Sequence, residues 1–350
     1  MRFTVIVLLA ALVGLYGCKA DQASAKSDED GARAALEKID AIKMPALGAG
    51  TQEDYQRAYY EAWKQKAPLV IAFAKAHPDH LRTPALMNEY WQSLMSTDMT
   101  ARDCDNAIKE IEQETQGTTN AMVRRHGAFW ETYYAGYRDR NDPKLILKHA
   151  DDFANQYPDD TRAAALYSLV TASENIDDAT QATVYHKLVD DYPQTPEGKY
   201  AQTIVRLLPS LNKRFDFAFK DFTTGKRITT DSLKGKVVVV DFWATWCNPC
   251  IAELPHMKDV YKKYKSKGVQ FIGVSFDRPE EQGGRADLQK FLKEYDVEWP
   301  QFYMNDDTDL ASKHGIETIP TVFILDKNGV VRSVDGYRVL ERTLDDLLAG

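Results

Sequence analysis

The chain has 350 residues, 44% of them hydrophobic and 27% charged, with a formal net charge of −8 at pH 7. That length gives room for two domains, each able to bury its own core. The negative balance excludes a general nucleic-acid or anionic-membrane binder, so no nucleic-acid partner is expected.

At the N-terminus, Arg2 precedes an apolar segment from Phe3 to Tyr16 that is too short to span a bilayer comfortably. Its layout is that of a secretory signal. It ends in Leu15-Tyr16-Gly17-Cys18, which resembles the bacterial lipobox, where the cysteine is lipidated and becomes the mature N-terminus. Tyr16 is bulkier than that pattern usually carries, and an ordinary cleaved signal or an uncleaved anchor are the alternatives. Residues 1–18 are thus expected to be a signal peptide, with Cys18 as the lipidation site holding the chain on a bacterial membrane. Residues 19–33, including the acidic run Ser27-Asp28-Glu29-Asp30, form a flexible, solvated tether.

From residue 34 to 208 the sequence predicts an all-α domain of helical hairpins. Apolar residues recur at three and four, as in Ile71, Phe73 and Ala74 or Leu86, Tyr90 and Leu94. Three segments echo one another: Phe73 to Asp79, Phe153 to Asp159 and Leu188 to Gln194, each placing a proline directly after an aromatic residue. A period of roughly 34 to 40 residues suits helix-hairpin repeats of the tetratricopeptide kind. Proline fits the linkers because it cannot continue the preceding helix. His77, His80, His126, His149 and His186 have no paired metal-ligand spacing, and no metal is expected.

Near Pro209-Ser210 the character changes. Phe215 to Phe219 alternates as a strand would, and Thr223 to Lys226 reads as a turn. Val237 to Val240 is a β-branched run suited to a strand buried on both faces. A helix over 249–266 follows, then a strand (270–276), helices (286–295 and 307–314), two strands (321–325 and 330–334) and a final helix (340–348). The two late strands make a hairpin turning at Asn328-Gly329. Strands alternating with helices predict an α/β sheet domain over 211–350.

The chemistry centres on Cys247-Asn248-Pro249-Cys250, at the junction of the predicted strand and helix. Half a zinc site would need a second ligand pair, and only His256 and His314 lie in this region. A redox dithiol needs a helix N-terminus, and Pro249 suits a first helical turn. The helix dipole and free N–H groups would lower the pKa of Cys247, while Cys250, one turn in, would be the less exposed thiol. An exported chain meets an oxidising compartment. Cys104 is left over between Asp103 and Asp105, which disfavour a thiolate. It reads as a buried, inert thiol, with a regulatory or intermolecular role as the minority alternative.

The run Asp241-Phe242-Trp243-Ala244-Thr245-Trp246-Cys247-Asn248-Pro249-Cys250, answered by Thr318-Ile319-Pro320-Thr321, resembles the thioredoxin fold. The resemblance is to the membrane-tethered, extracytoplasmic thiol-disulfide oxidoreductases of the TlpA/ResA type. Asp231 to Lys236 and an extra segment over 278–305 with Trp299-Pro300 belong to it, and it covers roughly 211–350. It implies that Cys247 attacks and Cys250 resolves, the two forming a redox-active disulfide. It further implies that Pro320 is a cis-proline facing the dithiol, and that Thr318 and Ile319 offer backbone to an extended substrate. Trp246 would flank the dithiol and shape access, and Pro255 matches a helix-kinking proline.

Asp241 matches the buried aspartate of thioredoxin, and Glu253, three residues after Cys250, matches the glutamate of the TlpA/ResA type. Having both is a departure, as is the lack of a lysine between Phe271 and Phe276. Which acid accepts the Cys250 proton stays open, with Glu253 favoured. A peroxiredoxin would place Pro-x-x-x-Thr-x-x-Cys at this point, and the order here differs.

The expected function is extracytoplasmic thiol-disulfide oxidation-reduction, in the direction of reducing protein disulfides, without a cofactor. The implied partners are disulfide-bearing proteins and a membrane electron donor of the DsbD/CcdA kind. The alternative is a protein-binding or chaperone-like lipoprotein whose helical domain is the working surface.

Overall fold

Proline steps and polar caps punctuate the first half of the chain into short helices. The computed structural model describes residues 29–46, 52–96, 99–173, 175–306 and 309–350. The expected signal segment, its Cys18 and the tether up to residue 28 lie outside the described residues, and among these no helix is long and apolar enough to cross a membrane. Two compact units make up the chain, Met1–Leu169 and Val170–Gly350.

The first unit contains α1 (Glu29–Ala41), α2 (Gln52–Ala76), α3 (Thr83–Ser93), α4 (Ala101–Thr115), α5 (Ala121–Arg138), α6 (Pro143–Gln156) and most of α7 (Ala163–Thr171). Its interior is aromatic: Trp63, Tyr90, Trp91, Trp130 and Tyr134 are buried. Where Tyr134 carries its hydroxyl inside, it donates to the Trp91 carbonyl at 2.7 Å, which removes the cost of burying it. Asn120 and Asp142 cap α5 and α6, and Thr100 with Asp103 forms a capping box on α4. The aromatic-proline steps fall directly after α2 and α6, where His77 and Tyr157 close the last turn by donating to the Phe73 and Phe153 carbonyls. The proline that follows then bars the next helical residue.

The second unit begins with α8 (Asp178–Asp191) and α9 (Pro196–Leu207). The sequence assigns both to the helical domain ending at 208, yet they group with the sheet. Tyr185 and Tyr200 donate hydrogen bonds to Asp335, and Arg342 Nη1 donates to the Ser173 carbonyl at 2.6 Å.

A two-stranded ladder, β1 (Ala218–Lys220) with β2 (Arg227–Thr229), precedes the main sheet. The remaining elements are β3 (Val237–Trp243), α10 (Asn248–Tyr264), β4 (Val269–Ser275), α11 (Gly284–Glu294), β5 (Gln301–Tyr303), α12 (Asp309–Lys313), β6 (Thr321–Leu325), β7 (Val331–Ser333) and α13 (Gly336–Ala349). The sheet order is β5-β4-β3-β6-β7. β3 runs parallel to β4 and antiparallel to β6.

Every residue of β3 is buried, as its unbroken apolar run requires. One face, with Val237, Val239 and Trp243, packs on Leu254, Met257 and Val260 of α10, on Leu288 and Phe291 of α11 and on Leu340 and Leu344 of α13. On the other face Phe242 meets Phe215, Phe276 and Phe323. Gly329, at φ 76°, turns the β6–β7 hairpin where a side chain would be strained.

Several elements differ from expectation, most by one or two residues at an end. The first strand is Ala218–Lys220, because the Phe215 N–H is spent on the Gly329 carbonyl outside that ladder. β5 lies inside the expected extra segment and is too short for an alternating pattern to reveal. The last helix starts at Gly336, four residues early, and kinks at Val339. This second unit carries a thioredoxin-like α/β sheet, and the described residues before it form helices and their connections, with no strand among them.

Candidate active site

β3 delivers the chain to the site, and Asp277 fixes the turn that follows it. The buried Asp277 carboxylate accepts from the Thr245 N–H at 3.0 Å and from the Thr245 hydroxyl at 2.5 Å. Trp246 then stands 54% exposed, and Cys247 takes the N-cap position of α10 with Pro249 in the first turn.

Cys247 and Cys250 are joined by a disulfide, with Cα atoms 5.3 Å apart. The Cys250 N–H donates to Cys247 Sγ at 3.2 Å, filling the place of a capping oxygen. The expected difference in exposure between the two cysteines is absent: each is 5% exposed. Both cysteines belong to the same buried apolar cluster.

Ile319–Pro320 is a cis peptide. Ile319 packs on the cluster that holds both cysteines, Thr318 is exposed, and the Thr318 carbonyl accepts from the Thr321 hydroxyl at 2.8 Å.

Asp241 lies on the α10 side of β3 and is buried. Burial, reinforced by the negative charge of Glu253, pushes its carboxyl up to about 7, against the opposing hydrogen bond from Tyr337. The Tyr337 hydroxyl donates to Asp241 Oδ1 at 2.7 Å. Glu253 is half-exposed, with His256 Nδ1 3.7 Å from its carboxylate. Glu253 holds the His256 imidazole above its ordinary pKa, burial opposes this, and the carboxylates of Glu341 and Asp259 add to the rise.

The in-register partner of Asp241 on β4 is Gly273. A side chain there would collide with the Gln301 carboxamide, whose Oε1 would lie 2.0 Å from the added Cβ. The same Oε1 accepts from the Trp243 indole at 3.0 Å. The site therefore gathers Asp241, Trp246, Cys247, Cys250 and Glu253 along one strand-turn-helix, with Thr318, Ile319 and Pro320 on the approach to β6.

Tyr337, Asp277 and Gln301 were not legible as site residues. Asp277 had one available signal, an acid immediately after an apolar strand. Among the described residues no cluster of His, Cys, Asp and Glu is arranged to hold a metal.

A family model described as AhpC/TSA family matches residues 212–334. The thiol-disulfide oxidoreductase ResA of Bacillus cereus is 37% identical over 119 residues, covering 34% of this chain and 65% of the relative. ResA of Bacillus subtilis (strain 168) is 35% identical over 133 residues, covering 38% of this chain and 70% of the relative. The chain belongs to the ResA family.

Membership rests on the C-terminal part, and the chain spans 65% of the length of the first of these ResA relatives. Among solved structures, a putative thiol:disulfide interchange protein DsbE from Chlorobium tepidum is 30% identical, with a TM-score of 0.34, over 40% of this chain and 100% of that one. The thioredoxin domain of a Bacteroides vulgatus thiol-disulfide oxidoreductase is 26% identical, with a TM-score of 0.34, over 39% and 97% of the two chains. Like the ResA relatives, both match a minor share of this chain.

Proposed function

We propose that the chain is an extracytoplasmic thiol-disulfide oxidoreductase that reduces disulfides in protein substrates. The observation that carries this is the Cys247–Cys250 disulfide at the N-terminus of α10, with the Cys250 N–H directed at Cys247 Sγ. In the reduced state that N–H and the helix dipole favour a thiolate on Cys247.

The Cys247 thiolate attacks one sulfur of a substrate disulfide and releases the other as a thiolate. Cys250 then loses its proton and attacks Cys247 Sγ. The Cys247–Cys250 bond forms, the mixed disulfide breaks, and the second substrate sulfur leaves. Two electrons pass from dithiol to substrate, so a membrane dithiol donor of the DsbD/CcdA kind must restore the reduced pair.

Asp241 is the better proton acceptor for Cys250. Its buried carboxyl sits at about 7, close to the working pH, where a general base is most effective. The half-exposed Glu253 shares its charge with His256 and acts on Asp241 through the electrostatic push described above. Trp246, exposed beside the pair, and the Thr318-Ile319-Pro320 backbone form the substrate-facing rim.

Insulin-disulfide reduction by wild type and Cys247→Ser tests this reading: a variant as active as wild type sinks it. For direction, a reducing role requires a dithiol potential, measured in equilibrium with glutathione, below that of the substrate disulfide. A value well above that makes the chain an oxidant. The lipid tether at Cys18 is tested by fatty-acid labelling of wild type and Cys18→Ser. The helical hairpins are read as tetratricopeptide-like from the recurring aromatic-proline steps at His77-Pro78, Tyr157-Pro158 and Tyr192-Pro193.

A further inference from the structure

The start of α13 is held closely against the sheet beside Asp241. Val322 on β6 is the in-register neighbour of Asp241. Gly336, the first residue of α13, sits so near it that an added Cβ would lie 2.3 Å from Val322 Cγ1 and 2.7 Å from the Val322 carbonyl oxygen. Only glycine lets the helix begin at that depth.

Asp335, immediately before, is buried and does not cap α13. Its two carboxylate oxygens instead accept from Tyr185 of α8 and Tyr200 of α9. Further along α13, Arg342 reaches the Ser173 carbonyl at 2.6 Å. The helix start is thus fixed by the sheet below and by two helices that precede the sheet in the chain. The next side chain, Tyr337, is the one whose hydroxyl donates to Asp241 Oδ1 at 2.7 Å.

We propose that Tyr337 is a positioning residue for the dithiol reaction, holding the Asp241 carboxyl in one orientation with its phenol. In this arrangement Asp335, gripped by Tyr185 and Tyr200, holds Tyr337 in place. The inference rests on the dithiol reading above for its place in catalysis. The groups facing Asp241 are few. α10 contributes Glu253 and α13 contributes Tyr337, while β4 and β6 present Gly273 and Val322 in register, neither of which titrates. The phenol donates to the ionised carboxylate and so opposes the upward push of burial and of Glu253. Without it, Asp241 keeps its proton to higher pH and accepts the Cys250 proton over a narrower range.

The test is a carbon-13 carboxyl titration of the oxidised full chain, with Asp241→Asn assigning the signal. Tyr337→Phe keeps the ring and removes one hydroxyl, and its Asp241 midpoint is expected to rise by about one unit. An unchanged or lowered midpoint overturns the proposal. The double variant Tyr185→Phe, Tyr200→Phe leaves Tyr337 in place and carries the test should Tyr337→Phe fail to fold. A smaller rise is expected there, and no shift overturns the grip through Asp335.

In the insulin assay the acidic limb of the rate profile is expected to move up with the midpoint in Tyr337→Phe, while Cys247 alkylation keeps its own profile. A uniform loss of rate with an unmoved limb reduces Tyr337 to a packing residue and overturns the positioning role. A wild-type chain inert on insulin overturns the redox reading instead, and the carboxyl titration distinguishes that failure from this one.

Discussion

Asp277 accepts hydrogen bonds from both the backbone N–H and the hydroxyl of Thr245, two residues before the first cysteine of the disulfide. Its other carboxylate oxygen accepts from Ser275 at 2.7 Å, and its carbonyl accepts from the Asn305 side chain at 2.7 Å. One buried acid therefore ties the end of β4 to the turn that presents Trp246 and Cys247. Asp277→Ala leaves two hydroxyls and a backbone N–H without their acceptor. Each orphaned group costs about 1–3 kcal/mol where it is buried. A lower thermal midpoint and slower insulin reduction are expected, with Asp277→Asn, which keeps one acceptor oxygen, in between. Wild-type behaviour in Asp277→Ala would show that the turn holds itself.

Gly273 makes a second prediction about the same wall. The Gln301 carboxamide lies where a Cβ on Gly273 would go, accepting from Trp243 and donating to the Trp299 carbonyl at 3.2 Å. This is why β4 carries no lysine beside Asp241: the space in register with the carboxylate is already filled. Gly273→Ala must displace the carboxamide and strand the Trp243 indole N–H, for a loss of about 1–3 kcal/mol. Urea unfolding followed by tryptophan fluorescence checks it. A variant as stable as wild type means that Gln301 has another low-energy rotamer.

What the sequence showed and what it hid divide along chain distance. The cysteine pair, the Pro249 helix start and the Asn328-Gly329 turn are local, so a few adjacent residues determine them. Asp241 could be read as buried because it matches the buried aspartate of thioredoxin in the family resemblance. Tyr337 could not, because its meeting with Asp241 joins residues 96 apart, and the Asp335 contacts to Tyr185 and Tyr200 span 150 and 135. Tyrosines on amphipathic helices look alike in sequence, whether they donate to water or to one carboxylate far along the chain. The same applies to α8 and α9, whose periodicity matches the preceding helices while their tyrosines face Asp335.

Cys104 is fully buried in α4, and burial with the charges of Asp103 and Asp105 pushes its thiol up to about 11. At about pH 8.5 an ordinary thiol is half ionised, whereas this one is neither ionised nor reachable. Iodoacetamide is therefore expected to leave Cys104 unmodified in the native chain and to label it fully in strong denaturant, as read by peptide mass spectrometry. Rapid labelling of the native chain would show that α4 opens locally and would return Cys104 to the list of reactive thiols.

Asp241 gives the chain a pH dependence whose sign is opposite to that of an ordinary salt-bridged acid. Its carboxyl titrates at about 7 when folded and at the ordinary 3.8 when unfolded. Between those values the folded chain holds a proton that the unfolded chain has released. Stability from this group is therefore complete below the unfolded pKa and is lost as pH rises toward 7. The full excursion is on the order of 4 kcal/mol for a shift of this size. Asp241→Asn is neutral at every pH and still offers an oxygen to Tyr337, so it loses this slope. His256, also held above its ordinary pKa, loses stability in the same direction, but it is common to both proteins and cancels in the comparison. Urea unfolding at about pH 5 and about pH 8, bracketing the titration, is expected to show the variant gaining on wild type as pH rises. Parallel pH dependence in the two proteins would mean that the buried carboxyl is ionised throughout, and would remove the raised pKa by which Asp241 is preferred over Glu253 as acceptor of the Cys250 proton.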